Sequence, residues 1–233
     1  MMPIVIVVGA MFVLNLLEGR FTNLSEWFIS ELLVLPGIII GLSFHEFAHG
    51  FVSWKLGDPT PKLQGRVTLN PAAHIDLFGF ICLLFAGFGW GKPVQIDPRY
   101  YKHRRRDEMM VALAGVVMNF LIAVVTCFIM HLLLYHGSSI LNSSAGEPLI
   151  DILQNIVLIN LVLMIFNLIP VPPLDGFNVI TQIFRLERFD WYYPLYQNGM
   201  FILLALILFN VTDMILNPAI SWVYNLLLTN IIY

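Results

Sequence analysis

The sequence predicts an all-α polytopic membrane protein, and its composition and its long apolar runs carry that prediction. Of the 233 residues, 58% are hydrophobic and only 12% are charged, whereas soluble domains average about 45–50% and 25%. The apolar runs fall at residues 2–17, 32–54, 75–90, 109–135, 150–169, 197–216 and 218–233. Too few residues lie outside them for a separate soluble domain of about 100–150 residues. We therefore expect a single membrane-embedded domain over residues 1–233.

The length of each run predicts which ones cross the membrane. A spanning helix needs about 20 apolar residues, so the runs at 2–17, 75–90 and 218–233 are marginal, and we expect about five to six transmembrane helices. The first run has no basic segment before it and no small-residue cleavage site, which favours a retained anchor over a removed signal peptide. Cys82 and Cys127 lie in apolar runs, so neither a disulfide nor a thiolate metal site is expected.

Basic residues predict the orientation of the chain. Lys and Arg cluster around residues 55–66, 92–106 and 185–188, and the positive-inside rule places all three clusters in the cytosol. The run at 75–90 must then enter and leave on the same side, so we expect a re-entrant or membrane-embedded segment. Residues 64–69 and 87–94 could form short β-strands. The basic clusters indicate contact with anionic lipid rather than with nucleic acid.

The motif that points to chemistry is the pentapeptide HEFAH at residues 45–49, inside the apolar run 32–54. On a helix, residues four apart share one face, so His45 and His49 can bind one Zn²⁺ while Glu46 reaches a water beside the metal. Ionisable side chains within a membrane segment cost about 2.5–3.5 kcal/mol each on the insertion scale. Three of them without a ligand would be unexpected, so the motif predicts a metal site, roughly 9 to 15 Å below the cytosolic end of the helix.

Asp175 is the candidate for a third metal ligand, which a catalytic zinc site usually requires. It follows the inward-running span at 150–169, and three prolines between residues 170 and 173 stop that helix. We expect an extended chain there that places a carboxylate beside the His pair. His74 and Asp76 are rivals for the same role, and Asp175 could instead cap the helix that follows it.

Several motifs together resemble those of the site-2 protease family of intramembrane zinc metalloproteases, in particular its compact bacterial-type members without a PDZ domain. The resemblance extends over residues 41–178 and rests on the segments 43–50, 69–76, 87–93, 114–119 and 167–176. It gives a motif-bearing core at about 32–178, with accessory helices in 1–31 and 179–233. Val116 departs from the family, which usually has Pro after Ala-Gly.

The resemblance implies a role for each matching residue. His45, His49 and Asp175 would bind one Zn²⁺ per chain, Glu46 would be the catalytic base, and Asn167 would help to stabilise the oxyanion. From the residues alone, Asn167 could equally make an interhelical hydrogen bond, as could Asn155 and Asn160. The rivals His74 and Asp76 could orient the metal ligands or cap a loop.

The function implied by the resemblance is hydrolysis of peptide bonds within or near transmembrane segments of membrane proteins. The expected setting is the lipid bilayer of a prokaryotic cell membrane, with the active site toward the cytosol. Residues 64–69 or 87–94 could offer a strand edge to an unwound substrate. The alternative is a non-proteolytic zinc-binding membrane protein, either a transporter or a sensor. The sequence disfavours a transporter, because it shows neither a continuous polar path nor internal repeats.

Overall fold

Helices form nearly all of the regular structure in the computed structural model, which describes residues 2–19, 21–87 and 89–232. Single turns of 3₁₀-helix lie at Pro71–Ala73, Pro98–Tyr100 and Leu186–Arg188, and a π-helical turn lies at Leu228–Ile232. The helices in chain order are α1 Met2–Leu17, α2 Leu24–Lys55, α3 Thr60–Leu63, α4 Leu77–Ala86, α5 Arg104–His136, α6 Ser138–Leu141, α7 Gly146–Leu168, α8 Asp175–Phe184, α9 Tyr192–Leu208 and α10 Val211–Leu227.

Four of the described helices are long and apolar enough to cross a membrane: α2, α5, α7, and α10 together with its π-helical turn. This confirms the all-α polytopic membrane fold, with fewer long spans than the five to six expected. The helices α1, α4 and α9 have 16, 10 and 17 residues, which is short of the roughly 20 that a straight span requires.

The predicted span at 197–216 is wrong, because the chain breaks within it. Helix α9 ends at Leu208, and Asn210 adopts the left-handed conformation with φ 56° before α10 begins at Val211. Asparagine accepts this conformation more readily than most residues, since its short polar side chain can hydrogen-bond locally. The sequence is apolar on both sides of this break and therefore gave no sign of it. The marginal run 218–233 belongs to the span that starts at Val211. Its last residue, Tyr233, lies outside the described residues.

Helices α2, α5 and α7 pack against one another and form the three-helix core that carries the site. Val157 and Leu161 of α7 are fully buried in it. Gly37 of α2 lies against the α7 backbone, where an added Cβ would be 3.0 Å from the carbonyl oxygen of Asn155. Small residues let membrane helices approach closely enough for dispersion contacts and side-chain hydrogen bonds, so α2 and α7 are closely packed about two turns before the motif.

Residues 56–103 connect α2 to α5. Between Ile75 and Gly91 this connection runs outward through α4 and then returns to the place where it left, and we call this part the excursion. Asp76 caps the start of α4 by accepting a hydrogen bond from the Gly79 N–H at 2.7 Å. An isolated antiparallel bridge joins Ile75 to Gly91, and the Lys92 N–H donates to the His74 carbonyl at 2.7 Å. The excursion therefore leaves and re-enters the structure at one place, as a re-entrant segment must.

The short strands predicted near 64–69 and 87–94 are wrong for the residues that the structure describes, which exclude Phe88. One bridge between Ile75 and Gly91 is the only strand-type pairing found among them. Residues 92–97 have no regular secondary structure. The His74 and Ile75 N–H groups donate to the Pro71 carbonyl, and the Val94 N–H donates to Glu46, so these groups are not available to a ladder.

Candidate metal centre and active site

Three predicted ligands meet at one point in the three-helix core. His45 and His49 lie one helical turn apart on α2, and their Nε2 atoms are 3.0 Å from each other. The Asp175 Oδ2 atom lies 3.2 Å from the first Nε2 atom and 3.3 Å from the second. All three residues form the one cluster of potential metal ligands in the described part of the chain. Both histidines are 7% exposed, so the cluster is shielded from bulk water.

Asp175 reaches the histidines because the chain between α7 and α8 is irregular. Helix α7 ends at Leu168, the prolines follow, and Asp175 is the first residue of α8. Proline at these positions prevents a continuous helix. Among the described residues, no side chain caps the start of α8. Asp175 therefore faces the His pair instead of capping its own helix.

Helix α5 contacts the imidazoles through a glycine. A Cβ at Gly115 would lie 2.5 Å from His45 Cε1 and 2.5 Å from His49 Nε2, which is closer than nonbonded atoms approach. The α5 backbone thus contacts both rings directly, and only glycine fits at this position.

Hydrogen bonds on the other ring nitrogens hold the imidazoles in orientation. His45 Nδ1 lies 2.6 Å from Asn119 Oδ1, and His49 Nδ1 lies 2.7 Å from the Val111 carbonyl oxygen. A carbonyl oxygen can only accept, so His49 must donate from Nδ1 and keep a lone pair on Nε2. The same arrangement at His45 aims its Nε2 lone pair at the same point.

The residues present fit a zinc ion. Asp175 Oδ2 is buried and has no hydrogen-bond partner among the described residues, although an unpaired buried carboxylate oxygen is costly. Two imidazole nitrogens and one carboxylate oxygen, each able to supply a lone pair, face one another at 3.0–3.3 Å, which is an arrangement that a cation stabilises. Ligand atoms on a tetrahedral zinc lie about 3.3 Å from each other, close to the three separations in the cluster. Two imidazoles and one carboxylate are also a typical catalytic zinc donor set.

Glu46 follows His45 in the sequence, and its carboxylate points toward a cavity instead of joining the ligand cluster. Its Oε2 atom accepts a hydrogen bond from the Val94 N–H at 2.8 Å and lies 4.0 Å from Arg66 Nη2. Arg66 is only 5% exposed, and it also donates to the Lys92 carbonyl. The 56–103 connection therefore holds the Glu46 side chain in place from outside α2.

A cavity of about 580 Å³ joins these groups. Its wall includes the three ligands and Glu46 on one side, Pro93 and Val94 on another, and Asn167 of α7. The Nδ2 atom of Asn167 donates to the Leu163 carbonyl of its own helix at 2.9 Å. One amide proton and the amide oxygen remain to face the cavity, so the proposed oxyanion role stays a prediction that the position of Asn167 allows.

The two rivals for the third ligand position lie elsewhere. Asp76 caps α4, and His74 hydrogen-bonds through Nε2 to the Thr68 carbonyl at 2.7 Å. Burial lowers the pKa of His74, so its ring is neutral at pH 7. Neither residue belongs to the ligand cluster, and the contacts to the ligand rings come from α5 instead.

Sequence reasoning assigned no role to Asn119, and it included Val94 and Arg66 only as members of the possible strand edges 87–94 and 64–69 and, for Arg66, of a basic cluster. Asn119 is within the quoted segment 114–119, and a polar residue in the middle of an apolar run is the signal that could have identified it. Val94 acts through its backbone N–H, a group that every residue except proline has, so the sequence cannot single it out. Arg66 lies in a polar loop, where an arginine is ordinarily expected to be exposed to solvent.

The fold and the site together define a polytopic membrane protein with a His-His-Asp cluster that fits a metal ion and a glutamate beside it. A family model described as peptidase family M50 matches residues 134–209, which include Asn167 and Asp175. The chain belongs to this family, the site-2 proteases.

Curated relatives agree with the family. YwhC of Bacillus subtilis (strain 168), which is named as a zinc metalloprotease, is 40% identical over 146 residues, covering 63% of this chain and 66% of that protein. Rip2 of Mycobacterium tuberculosis (strain ATCC 25618 / H37Rv), with the same description, is 28% identical over 200 residues, covering 83% of this chain and 73% of its own length. Rip2 of Mycolicibacterium smegmatis is 27% identical over 183 residues, covering 76% and 67%. No solved structure gives a significant match. The predicted family and enzyme class, a zinc metalloprotease, are confirmed.

Proposed function

We propose that the chain hydrolyses peptide bonds within or near transmembrane segments of membrane proteins, with His45, His49 and Asp175 holding one Zn²⁺ and Glu46 acting as the base. One observation carries the proposal: three converging lone-pair donors and a separately oriented carboxylate share one cavity inside a membrane-spanning core. When bound, zinc supplies a Lewis acid that makes water a stronger nucleophile at neutral pH.

Glu46 moves the proton in this mechanism. Its carboxylate accepts a proton from the attacking water, whose oxygen forms a bond to the carbon of the scissile carbonyl. The carbon–nitrogen bond then breaks, and the same proton passes from Glu46 to the leaving nitrogen, which gives a carboxyl and an amine product. The Val94 N–H holds the Glu46 carboxylate in one orientation throughout. The free amide proton of Asn167 faces the carbonyl oxygen as charge develops there.

The proposed substrate is a membrane segment because the cavity lies between helices that span the bilayer. A helical substrate buries its carbonyls in its own hydrogen bonds, so it must unwind locally before Glu46 can act on it. Helix-breaking residues near the cleavage site should therefore favour cleavage. Replacing them with Leu should slow it, and an unchanged rate would contradict this requirement.

We place the active site toward the cytosol of a prokaryotic cell. The C-terminal end of α2, the N-terminal end of α5 and the 56–103 connection lie on one side of the core, and they carry most of the basic residues. Both native cysteines are free and buried, so a cysteine introduced at Arg99 or at Ser144 can be labelled selectively. In intact cells an impermeant maleimide should label position 144 and spare position 99. The reverse pattern would reverse the orientation.

The decisive experiment compares wild type with Glu46→Gln in liposomes that contain a pool of single-span membrane proteins. Mass spectrometry should find new termini within or near transmembrane segments for wild type and none for the variant, while metal analysis finds about one zinc in both. Glu147→Gln, which changes an exposed acid far from the site, is the matched control and should cleave like wild type. Normal cleavage by Glu46→Gln would refute the mechanism.

A further inference from the structure

We propose that Asn119 and Asn160 are positioning residues that hold the His45 ring in the tautomer that binds metal. The proposal rests on the ligand role proposed above for His45. A chain of hydrogen bonds runs from α7 through α5 to α2. Both asparagines are 0% exposed, and three helices each contribute one side chain.

A backbone carbonyl fixes which group donates and which accepts in this series of hydrogen bonds. The Ile156 carbonyl oxygen can only accept, so Asn160 donates to it from Nδ2 at 2.8 Å. The Asn160 Oδ1 atom then accepts from Asn119 Nδ2 at 3.0 Å. Asn119 consequently presents its Oδ1 to the ring, and His45 donates to it from Nδ1 at 2.6 Å. The proton is on Nδ1 and the lone pair on Nε2, which faces the cluster.

A second contact opposes the flipped orientation of Asn119. Its Nδ2 atom also lies 3.4 Å from the Gly41 carbonyl oxygen. Turning the amide over would bring Oδ1 against two acceptors, Gly41 O and Asn160 Oδ1, and would leave two buried hydrogen bonds unmade. A buried polar group without a hydrogen-bond partner is costly, so the observed orientation is strongly preferred.

The two histidines depend on different kinds of support. His49 donates to a backbone carbonyl of α5, Val111 O, which no side-chain substitution can remove. His45 depends on Asn119 and, through it, on Asn160 of a different helix. Loss of either asparagine lets the proton move to His45 Nε2, where it occupies the lone pair that the metal requires. Partners of this kind typically change metal affinity by about 10–100-fold.

The test measures zinc affinity on the full-length chain in detergent, by competition with a chromophoric chelator. Asn119→Leu and Asn119→Asp have nearly the shape of asparagine, but only Asp keeps an acceptor for the His45 N–H. Asn119→Leu should weaken zinc binding by about tenfold or more, whereas Asn119→Asp, which keeps the acceptor for His45 but loses the donor to Asn160 and Gly41, should lose clearly less than Asn119→Leu. Asn160→Leu should give an intermediate loss, because Asn119 still contacts the ring. Asn155→Leu, on the same helix as Asn160, is the control and should bind like wild type.

A second measurement reads the tautomer directly. Nitrogen NMR of histidine-labelled, zinc-free protein, at a pH where imidazole is neutral, should show His45 protonated at Nδ1 in wild type and shifted toward Nε2 in Asn119→Leu. Equal affinity losses for Asn119→Asp and Asn119→Leu would reduce Asn119 to a packing role and overturn the proposal, as would wild-type affinity in Asn119→Leu. Both measurements omit substrate, so a failure of the proposed peptidase function is a separate result.

Discussion

The two halves of the candidate site are built in different ways. The candidate metal ligands His45 and His49 are supported from within the three-helix core, where Gly115 and Asn119 of α5 contact their rings. Glu46 is supported from outside the core, by Val94 and Arg66 of the 56–103 connection. If the proposed roles hold, metal binding and proton transfer depend on separate parts of the chain, and mutations should separate them.

The largest loss of zinc binding and cleavage should come from a substitution in the three-helix core. Gly115→Ala places a methyl group 2.5 Å from both imidazole rings, so the His pair must move apart or tilt away from Asp175. We expect zinc binding and cleavage both to fall by about a hundredfold or more, since small misplacements of a site cost about that much. Gly9→Ala is the control, because a Cβ there meets nothing within 4 Å. Retention of zinc by Gly115→Ala would show that the ring positions are not set by α5.

A substitution in the 56–103 connection should have a smaller effect, which lowers turnover and leaves zinc binding unchanged. Arg66→Met removes the buried guanidinium between Glu46 and the Lys92 carbonyl, which frees the segment that carries Val94. We expect turnover to drop about 10–100-fold, in the range of lost acid–base assistance, with zinc content unchanged. Arg99→Met changes an arginine of the same connection whose side chain is 88% exposed, and it should behave as wild type. If Arg66→Met lost zinc as well, the two halves would not be independent.

The smallest effect should be on stability: the 56–103 connection should make the free energy of unfolding depend on pH. Asp58 is fully buried and accepts hydrogen bonds from Ser53 Oγ, Thr60 N and Asp97 N at 2.8–2.9 Å. Burial alone would raise the pKa of Asp58, but these hydrogen bonds hold it below the ordinary aspartate value. Its stabilisation is thus complete above the ordinary aspartate pKa and is lost as the pH falls through the lowered one.

Asp58→Asn tests that sign. The substitution should lower the free energy of unfolding by about 1–3 kcal/mol at neutral pH, and the difference from wild type should shrink in acid. Thermal unfolding measured across that pH range provides the check, with the exposed Asp190→Asn as control. A difference that is the same at every pH would mean that the ionised carboxylate contributes nothing.

The sequence predicted those features that short-range rules control. Helical periodicity placed His45 and His49 on one face, and hydrophobicity with a proline stop located the inner end of α7 near Asp175. It failed where the outcome depends on one backbone angle or on contacts between distant segments. The break at Asn210 lies in an uninterrupted apolar run, and Arg66 and Val94 are 20 and 48 residues from Glu46. Their contacts exist only after the excursion through α4 has closed.

That closure at Ile75 and Gly91 has a consequence for how the chain tolerates changes in length. The residues before the bridge and the residues after it are fixed to each other by the bridge and by the Lys92–His74 hydrogen bond. The register of Val94 against Glu46 is therefore set at the base of the excursion. Insertions or deletions at its tip leave that register unchanged, whereas a single-residue insertion between Lys92 and Val94 puts a different N–H opposite the carboxylate.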